Sequence, residues 1–219
     1  MSNLYNIFFI KTGKCATETL RFYLKQYANT NGLAINDKNH ERFFERKKFN
    51  VNTNHILYND KNLIHFSNAI DKSLPVLRLS AVRNPIERLY SHYCYGHPRF
   101  MEGMDFNEWY LKTTSGEIED YWNVPQWGDR TDNYMWNYMG IKSLDLIHLQ
   151  YDIIFVKEKF EESLQKLEDK LEFKFKRIEK LNVMPDSKGP YEFDSKVIEI
   201  FNERNQLDNS LYEYVLKNY

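Results

Sequence analysis

The sequence predicts an α/β fold with a central parallel β-sheet flanked by helices and a helical C-terminal region. Two apolar runs, at residues 7–10 and Val76–Val82, have the length and composition of buried strands. Each run is followed by apolar residues at three- and four-residue spacing, which is typical of a helix with one buried face. A chain of 219 residues can bury one sizeable core, so we expect a single domain over residues 1–219.

The first predicted strand leads through a short polar loop into a helix. The helical pattern places five apolar residues on one face: Ala16, Leu20, Tyr23, Leu24 and Tyr27. A helix start carries partial positive charge and has backbone N–H groups without intrahelical partners, so it stabilises a phosphate or a sulfate. Charged and hydroxyl donors lie in and just after the loop: Lys11, Lys14, Thr12, Thr17 and Thr19. The loop is predicted to bind an anion; a plain joint with two solvated lysines is the alternative.

The second predicted strand ends at Arg83, and a helix start follows it. Asn84 is a typical N-cap, Pro85 suits the first helical position, and Glu87 is placed to close a capping box. Ligands of open α/β sheets bind beyond the carboxyl ends of the strands, where Arg83 is expected to lie. Ser91 is roughly 10 Å further along the helix, at about 1.5 Å per residue. Arg83 and Ser91 are predicted to hold opposite sides of one phosphate.

A shorter apolar run at residues 62–66 is predicted to be a strand that ends near a loop. It contains His65, and imidazole is the side chain best suited to remove a proton near neutral pH. From the residues alone, a structural role for this histidine stays open beside a catalytic one.

Composition excludes several classes of protein. The net charge of −1 argues against a nucleic-acid coat or a polybasic membrane binder. The two cysteines, Cys15 and Cys94, cannot form a disulfide framework or a four-ligand zinc site, and we expect Cys15 to be a small buried filler. The apolar runs are of strand length, and the N-terminus lacks the pattern of a secretory signal. These features favour a soluble, cytoplasmic protein without stable membrane insertion; they set no oligomeric state.

Two motifs resemble those of a known enzyme family. Residues 11–20, KTGKCATETL, resemble the 5′-phosphosulfate-binding loop of sulfotransferases that use 3′-phosphoadenosine 5′-phosphosulfate (PAPS). Residues 82–93, VRNPIERLYSHY, resemble the 3′-phosphate motif of the same family. The first motif is most similar to the carbohydrate branch, such as galactosylceramide and heparan sulfate 2-O-sulfotransferases. The resemblance implies a P-loop-NTPase-like sheet, a last strand at residues 152–156 and a helix after it.

The resemblance also implies the chemistry and its residues. PAPS would be the cosubstrate, and a carbohydrate, a glycolipid or another hydroxyl compound the acceptor, with no metal required. Lys11 would stabilise the leaving bisphosphate and His65 would be the general base, with Glu18, Glu41 and His97 as rival bases. The nucleotide would be bound by the two motifs and by a later loop, through Lys11, Thr12, Gly13, Lys14, Cys15, Ala16, Thr17, Thr19, Arg83, Ser91, Ser187 and Lys188.

Glu18 departs from the pattern of this family. A carboxylate near two bound anions weakens their binding unless it caps the helix or pairs with Lys14 or Arg21. Two other functions stay open beside sulfuryl transfer. One is a P-loop kinase or nucleotide hydrolase, although the loop lacks the pattern Gly-x-x-x-x-Gly-Lys-Ser/Thr. The other is a non-catalytic protein that binds a nucleotide or a glycan.

Overall fold

A parallel β-sheet forms the centre of the molecule. The computed structural model describes residues 3–37, 48–53, 57–96, 103–118, 132–178 and 191–219. Within these ranges five strands form one sheet in the order β2-β3-β1-β4-β5, and every pairing is parallel. The strands are β1 (Asn6–Phe9), β2 (Ile35–Asn36), β3 (Val51–Asn52), β4 (Val76–Val82) and β5 (Ile153–Val156). The predicted α/β fold is confirmed, as are the predicted strands at β1, β4 and β5.

Helices flank the sheet and make up the C-terminal region. In the described ranges they are α1 (Thr17–Thr30), α2 (Asp60–Ala69), α3 (Pro85–Gly96), α4 (Phe106–Ser115), α5 (Tyr134–Tyr138), α6 (Ile147–Gln150), α7 (Phe160–Leu171), α8 (Ser195–Arg204) and α9 (Gln206–Asn218). The predicted helices after β1, β4 and β5 are present as α1, α3 and α7. The predicted helical C-terminal region is confirmed by α8 and α9.

Strand β1 lies at the middle of the sheet and is buried on both faces. All four of its side chains are fully buried, as expected for a parallel sheet covered by helices on both sides. On one face the ring of Phe8 packs 4.6 Å from the ring of Phe66 in α2. On α1, Tyr23 packs against α7 through Phe160, with ring centroids 6.2 Å apart. The loop that follows β1 therefore begins at a strand packed on both faces.

The predicted strand at residues 62–66 is wrong, because these residues lie in helix α2. The Asn59 side chain accepts a hydrogen bond from the Asn62 N–H at 2.9 Å and caps the helix. Phe66 and Ala69 are buried three residues apart, whereas Ile64 is 60% exposed. Such spacing belongs to a helix with one buried face. Three apolar residues within five positions do not distinguish a strand from a helix, and the Asn59 cap before them favours the helix.

The segment after α7 is anchored by a buried carboxylate. Glu168 accepts hydrogen bonds from the Phe175 N–H at 2.9 Å, from Lys174 Nζ at 3.0 Å and from Arg177 NH1 at 2.5 Å. Burial alone would raise the pKa of Glu168, but these partners outweigh it and lower the pKa to about 2. The anchor holds Phe175 against Tyr23 of α1, with ring centroids 5.3 Å apart.

Candidate anion-binding site

The loop between β1 and α1 has an unusual backbone. Lys14 and Ala16 have positive φ angles of 65° and 58°, in the left-handed region that residues other than glycine rarely occupy. Ala16 is the N-cap of α1 and makes no side-chain hydrogen bond to the first turn. Left-handed residues in a turn direct successive N–H groups into one concavity, and a helix start adds partial positive charge. Left-handed residues before a helix start are features of anion-binding loops, and the predicted anion site at this loop stays a prediction.

Hydroxyl groups fasten this loop to the neighbouring strand β4. Ser80 Oγ donates to the carbonyl oxygen of Ile10 at 3.1 Å, so the 3.0 Å bond between Thr12 and Ser80 uses the proton of Thr12. Thr17 Oγ1 donates to the carbonyl oxygen of Thr12 at 3.3 Å. Both threonine protons thus bond within the protein. These hydrogen bonds shape the loop.

Lys11 is a buried cation with an acidic neighbour. Its side chain is 1% exposed, and its ammonium group forms an ion pair with Glu18 Oε1. Burial lowers the pKa of Lys11, and the Glu18 carboxylate opposes this shift. For Glu18 burial favours the protonated form, but Lys11 and Arg21 outweigh it and lower the pKa. Glu18 Oε2 pairs with Arg21 NH1 at 2.9 Å, so pairing with Arg21 is confirmed and the second partner is Lys11, not Lys14.

A row of alternating charges continues from Glu18 along the carboxyl edge of the sheet. Arg21 Nε donates to Asp37 Oδ1 at 2.5 Å, directly after β2. Asp37 also pairs with Lys25, and it accepts a hydrogen bond from Thr53 Oγ1 at 2.9 Å, directly after β3. Together with Lys11, which follows β1, the row links α1 to the ends of β1, β2 and β3. It also fixes the position of Arg21.

Arg83 joins the second motif to the loop. It follows β4, its side chain is 14% exposed, and its NH1 donates to the carbonyl oxygen of Lys14 at 3.5 Å. Asn84 Oδ1 accepts from the Glu87 N–H at 3.3 Å, so the predicted N-cap is confirmed. The second half of the capping box is wrong, because Glu87 pairs with Arg83 NH2 at 3.1 Å and the Asn84 N–H donates to Glu158. Ser91 lies two turns along α3 and is half-buried.

Tyr134 is a site residue that the motifs did not identify. Its hydroxyl accepts a hydrogen bond from the Gly13 N–H at 3.2 Å, and a Cβ at Gly13 would lie 3.0 Å from that oxygen. The guanidinium of Arg88 lies 4.5 Å from the centre of the Tyr134 ring. Buried Asp208 accepts from the first N–H groups of α5 and so fixes the helix that carries Tyr134. Gly13 and Tyr134 are 121 positions apart in the sequence, so local patterns do not show this contact.

Cys15 and Lys14 have different surroundings in the loop. Cys15 is 1% exposed, and burial raises the pKa of its thiol to about 12, so the predicted filler role is confirmed. Lys14 Nζ lies 4.1 Å from the ring centre of Tyr95, a cation–π contact, and burial with Arg83 nearby lowers its pKa. The loop thus presents cationic side chains on both flanks and no reactive thiol.

Two of the remaining predicted residues lie on helices, and four lie outside the described residues. His65 is half-buried in the middle of α2, beside Phe66. Thr19 lies in the first turn of α1 and is half-buried. Four predicted residues lie outside the described residues: Glu41, His97, Ser187 and Lys188. In the described ranges no group of three or more His, Cys, Asp or Glu residues could hold a metal. Nor does any helix there have the length and apolarity needed to cross a membrane.

Comparison with known proteins finds distant similarity among solved structures. No protein-family model matches the chain, and no curated protein matches it. Among solved structures, a sulfotransferase from Alicyclobacillus acidocaldarius is similar over 98% of this chain and 97% of its own. The two chains are 15% identical, with a TM-score of 0.49. A similarity this low assigns neither the substrate nor the site residues of this protein.

Proposed function

We propose that this protein is a sulfotransferase that moves the sulfuryl group of PAPS to a hydroxyl of a carbohydrate or glycolipid acceptor. The contact between Arg83 and the loop carries the proposal, because Arg83 NH1 donates to the Lys14 carbonyl at 3.5 Å. A second cationic group therefore stands beside the anion loop. PAPS has a 5′-phosphosulfate and a separate 3′-phosphate, whereas ATP has one continuous chain of phosphates. The resemblance of both motifs to those of PAPS-dependent enzymes supports the same donor.

In this reaction a cationic side chain at the leaving group can take the place of a metal ion. The bond between sulfur and the bridging oxygen of the 5′-phosphate breaks, and a bond forms from sulfur to the acceptor oxygen. The acceptor proton passes to a base, and 3′-phosphoadenosine 5′-phosphate leaves. Buried Lys11 would neutralise the charge that grows on the bridging oxygen, where a low-dielectric environment strengthens the effect. By analogy with phosphoryl transfer, positioning and electrostatics supply most of the acceleration.

The nucleotide contacts follow from the same assignment. Backbone N–H groups at the start of α1, together with Lys14, would hold the 5′-phosphate. Arg83 and Ser91 would hold the 3′-phosphate, and Ser187 and Lys188 would close over the nucleotide. For the base, we retain His65, whose contribution would be about 10²–10⁴-fold. Glu18 is the rival with a described place in the site, but a carboxylate with a lowered pKa is a weak base.

Thermal stability distinguishes this proposal from a kinase. A ligand that binds only the folded protein raises its melting temperature. We expect 3′-phosphoadenosine 5′-phosphate to stabilise the protein without magnesium, and ATP with magnesium to have little effect. Incubation with ³⁵S-labelled PAPS and a panel of glycans, glycolipids and phenols would then identify the acceptor. Stabilisation by ATP with magnesium alone would refute the proposal, and binding without transfer to any acceptor would favour the non-catalytic alternative.

A further inference from the structure

The side chain of Glu18 bridges two cations of unequal exposure. One carboxylate oxygen contacts the ammonium of Lys11, whose side chain is 1% exposed. The other oxygen lies 2.9 Å from NH1 of Arg21, whose side chain is 24% exposed. Glu18 itself is 40% exposed, so solvent reaches its side chain while its partner Lys11 is buried. A small rotation of this side chain would therefore break its ion pair with Lys11 and leave its ion pair with Arg21.

An ammonium group as deeply buried as that of Lys11 needs a counter-ion. Burial of an unpaired charge is costly, and Glu18 supplies the compensating charge within the protein. An anionic ligand at Lys11 would supply the same compensation, but it would then lie next to the Glu18 carboxylate. The negative charges of the ligand and of Glu18 repel each other when they lie side by side. The ligand and Glu18 therefore compete for one ammonium.

Arg21 offers the displaced carboxylate a partner that is already in place. It lies three residues after Glu18, nearly one helical turn further along α1, and its Nε is held by Asp37 at 2.5 Å. Asp37 is in turn fixed by Thr53 and Lys25. Arg21 thus keeps its position when the carboxylate leaves Lys11.

We propose that Glu18 is a positioning residue for Lys11: it holds the ammonium in the ligand-free loop and passes to Arg21 when an anionic group of the donor takes its place. The inference rests on the proposed function, since it is there that Lys11 is assigned to the donor. The charged groups that face this pair in the described residues are Arg21 of α1, Asp37 after β2 and Lys14 of the loop. The exchange makes entry of the donor depend on Arg21 as well as on the loop.

A double-mutant cycle tests the exchange through the affinity for 3′-phosphoadenosine 5′-phosphate, measured by calorimetry. Glu18→Gln should tighten binding about five- to tenfold, because one competing negative charge is removed. Arg21→Gln should weaken binding, because the displaced carboxylate loses its partner. In the Glu18→Gln background, Arg21→Gln should have little effect, so the two changes are not additive. Glu108→Gln is the matched control; it removes the same charge from an exposed pair with Lys112 and should change nothing.

The pH dependence of the affinity for the bisphosphate is a second test, because it would not change if Glu18 served only to stabilise the fold. Without Glu18 the buried Lys11 loses its proton more easily, so the affinity of Glu18→Gln for the bisphosphate should fall at a lower pH than that of the natural protein. Weaker binding by Glu18→Gln at pH 6, or equal effects of Arg21→Gln in both backgrounds, would overturn the proposal. If Glu18→Gln does not fold, unchanged or tighter binding by Arg21→Gln alone overturns it.

The pairing of Glu18 with Lys11 can also be tested without the nucleotide. If the natural protein binds no bisphosphate, the sulfotransferase proposal fails, and the exchange is tested with inorganic sulfate and by titration of ¹³C-labelled lysine. Removal of Glu18 should then lower the pKa of Lys11, and sulfate should bind more tightly to Glu18→Gln than to the natural protein. An unchanged Lys11 titration in Glu18→Gln would overturn the inference whatever the donor is.

Discussion

Replacement of Arg83 by methionine should remove the affinity for a 3′-phosphate selectively. The guanidinium is largely buried between the Lys14 carbonyl, at 3.5 Å, and Glu87, at 3.1 Å. Methionine keeps the length and apolar stem of the side chain and removes its charge and its donors. The change therefore affects the phosphate contact while the packing after β4 is largely kept.

The size of the loss follows from the kind of contact. A hydrogen bond to a charged group contributes about 1.5–3 kcal/mol, which is about 10- to 150-fold in the dissociation constant. Loss of the long bond to the Lys14 carbonyl costs about 0.5–1.5 kcal/mol at most and disturbs the loop for any ligand. The affinity for 3′-phosphoadenosine 5′-phosphate should therefore fall much more than the affinity for AMP, which lacks the 3′-phosphate.

Calorimetry with both ligands separates these contributions. Arg78→Met is the matched control, since Arg78 lies on β4, the strand that Arg83 follows, and pairs with Asp152, the residue before β5, at 3.3 Å. It should leave the affinities for both ligands unchanged. If Arg83→Met weakened the binding of AMP and of the bisphosphate equally, Arg83 would only support the loop, and its assignment to a second phosphate would be refuted.

Four other predictions concern single side chains. Lys11→Met should lower sulfuryl transfer about 10²–10³-fold with the fold intact, and normal turnover would remove it from the mechanism. His65→Ala should lower turnover but keep nucleotide binding; unchanged turnover would exclude it as the base. Tyr134→Phe should cost about 1 kcal/mol of unfolding free energy, measured in urea, because the Gly13 N–H loses its acceptor. The folded-state pKa of Glu168 is depressed, so its stabilisation, roughly 2–3 kcal/mol, should be lost as pH falls from 5 to 2; a flat profile would contradict this.

The elements around the site could be predicted because their signals are local. Strand β4 ends at Val82, and Asn84 and Pro85 begin α3 as their chemistry requires. Burial of Leu20 and Tyr23 on α1 follows from their spacing. The meeting of both motifs at one edge follows from the parallel sheet, since the carboxyl ends of β1 and β4 are neighbours.

What could not be predicted depends on residues that are distant in sequence or on choices between partners. The contact of Tyr134 with Gly13 spans most of the chain, and only the tertiary structure brings them together. Glu87 had two possible partners, the Asn84 N–H and Arg83, and the nearby Glu158 took the N–H. Glu18 was expected to cap the helix or to pair with Lys14 or Arg21; it pairs with Arg21, and its second partner is Lys11, whose buried charge needs a counter-ion.

We propose that the loop and Arg83 form one site for two separate anionic groups. Calorimetric titration with 3′-phosphoadenosine 5′-phosphate and with ADP, both without magnesium, tests it most directly, because the two ligands carry the same number of phosphates in different places. We predict that the 3′,5′-bisphosphate binds about tenfold more tightly or better, from one charge-assisted contact at Arg83. Equal or tighter binding of ADP, or a requirement for magnesium, would contradict a separate phosphate-binding position at Arg83.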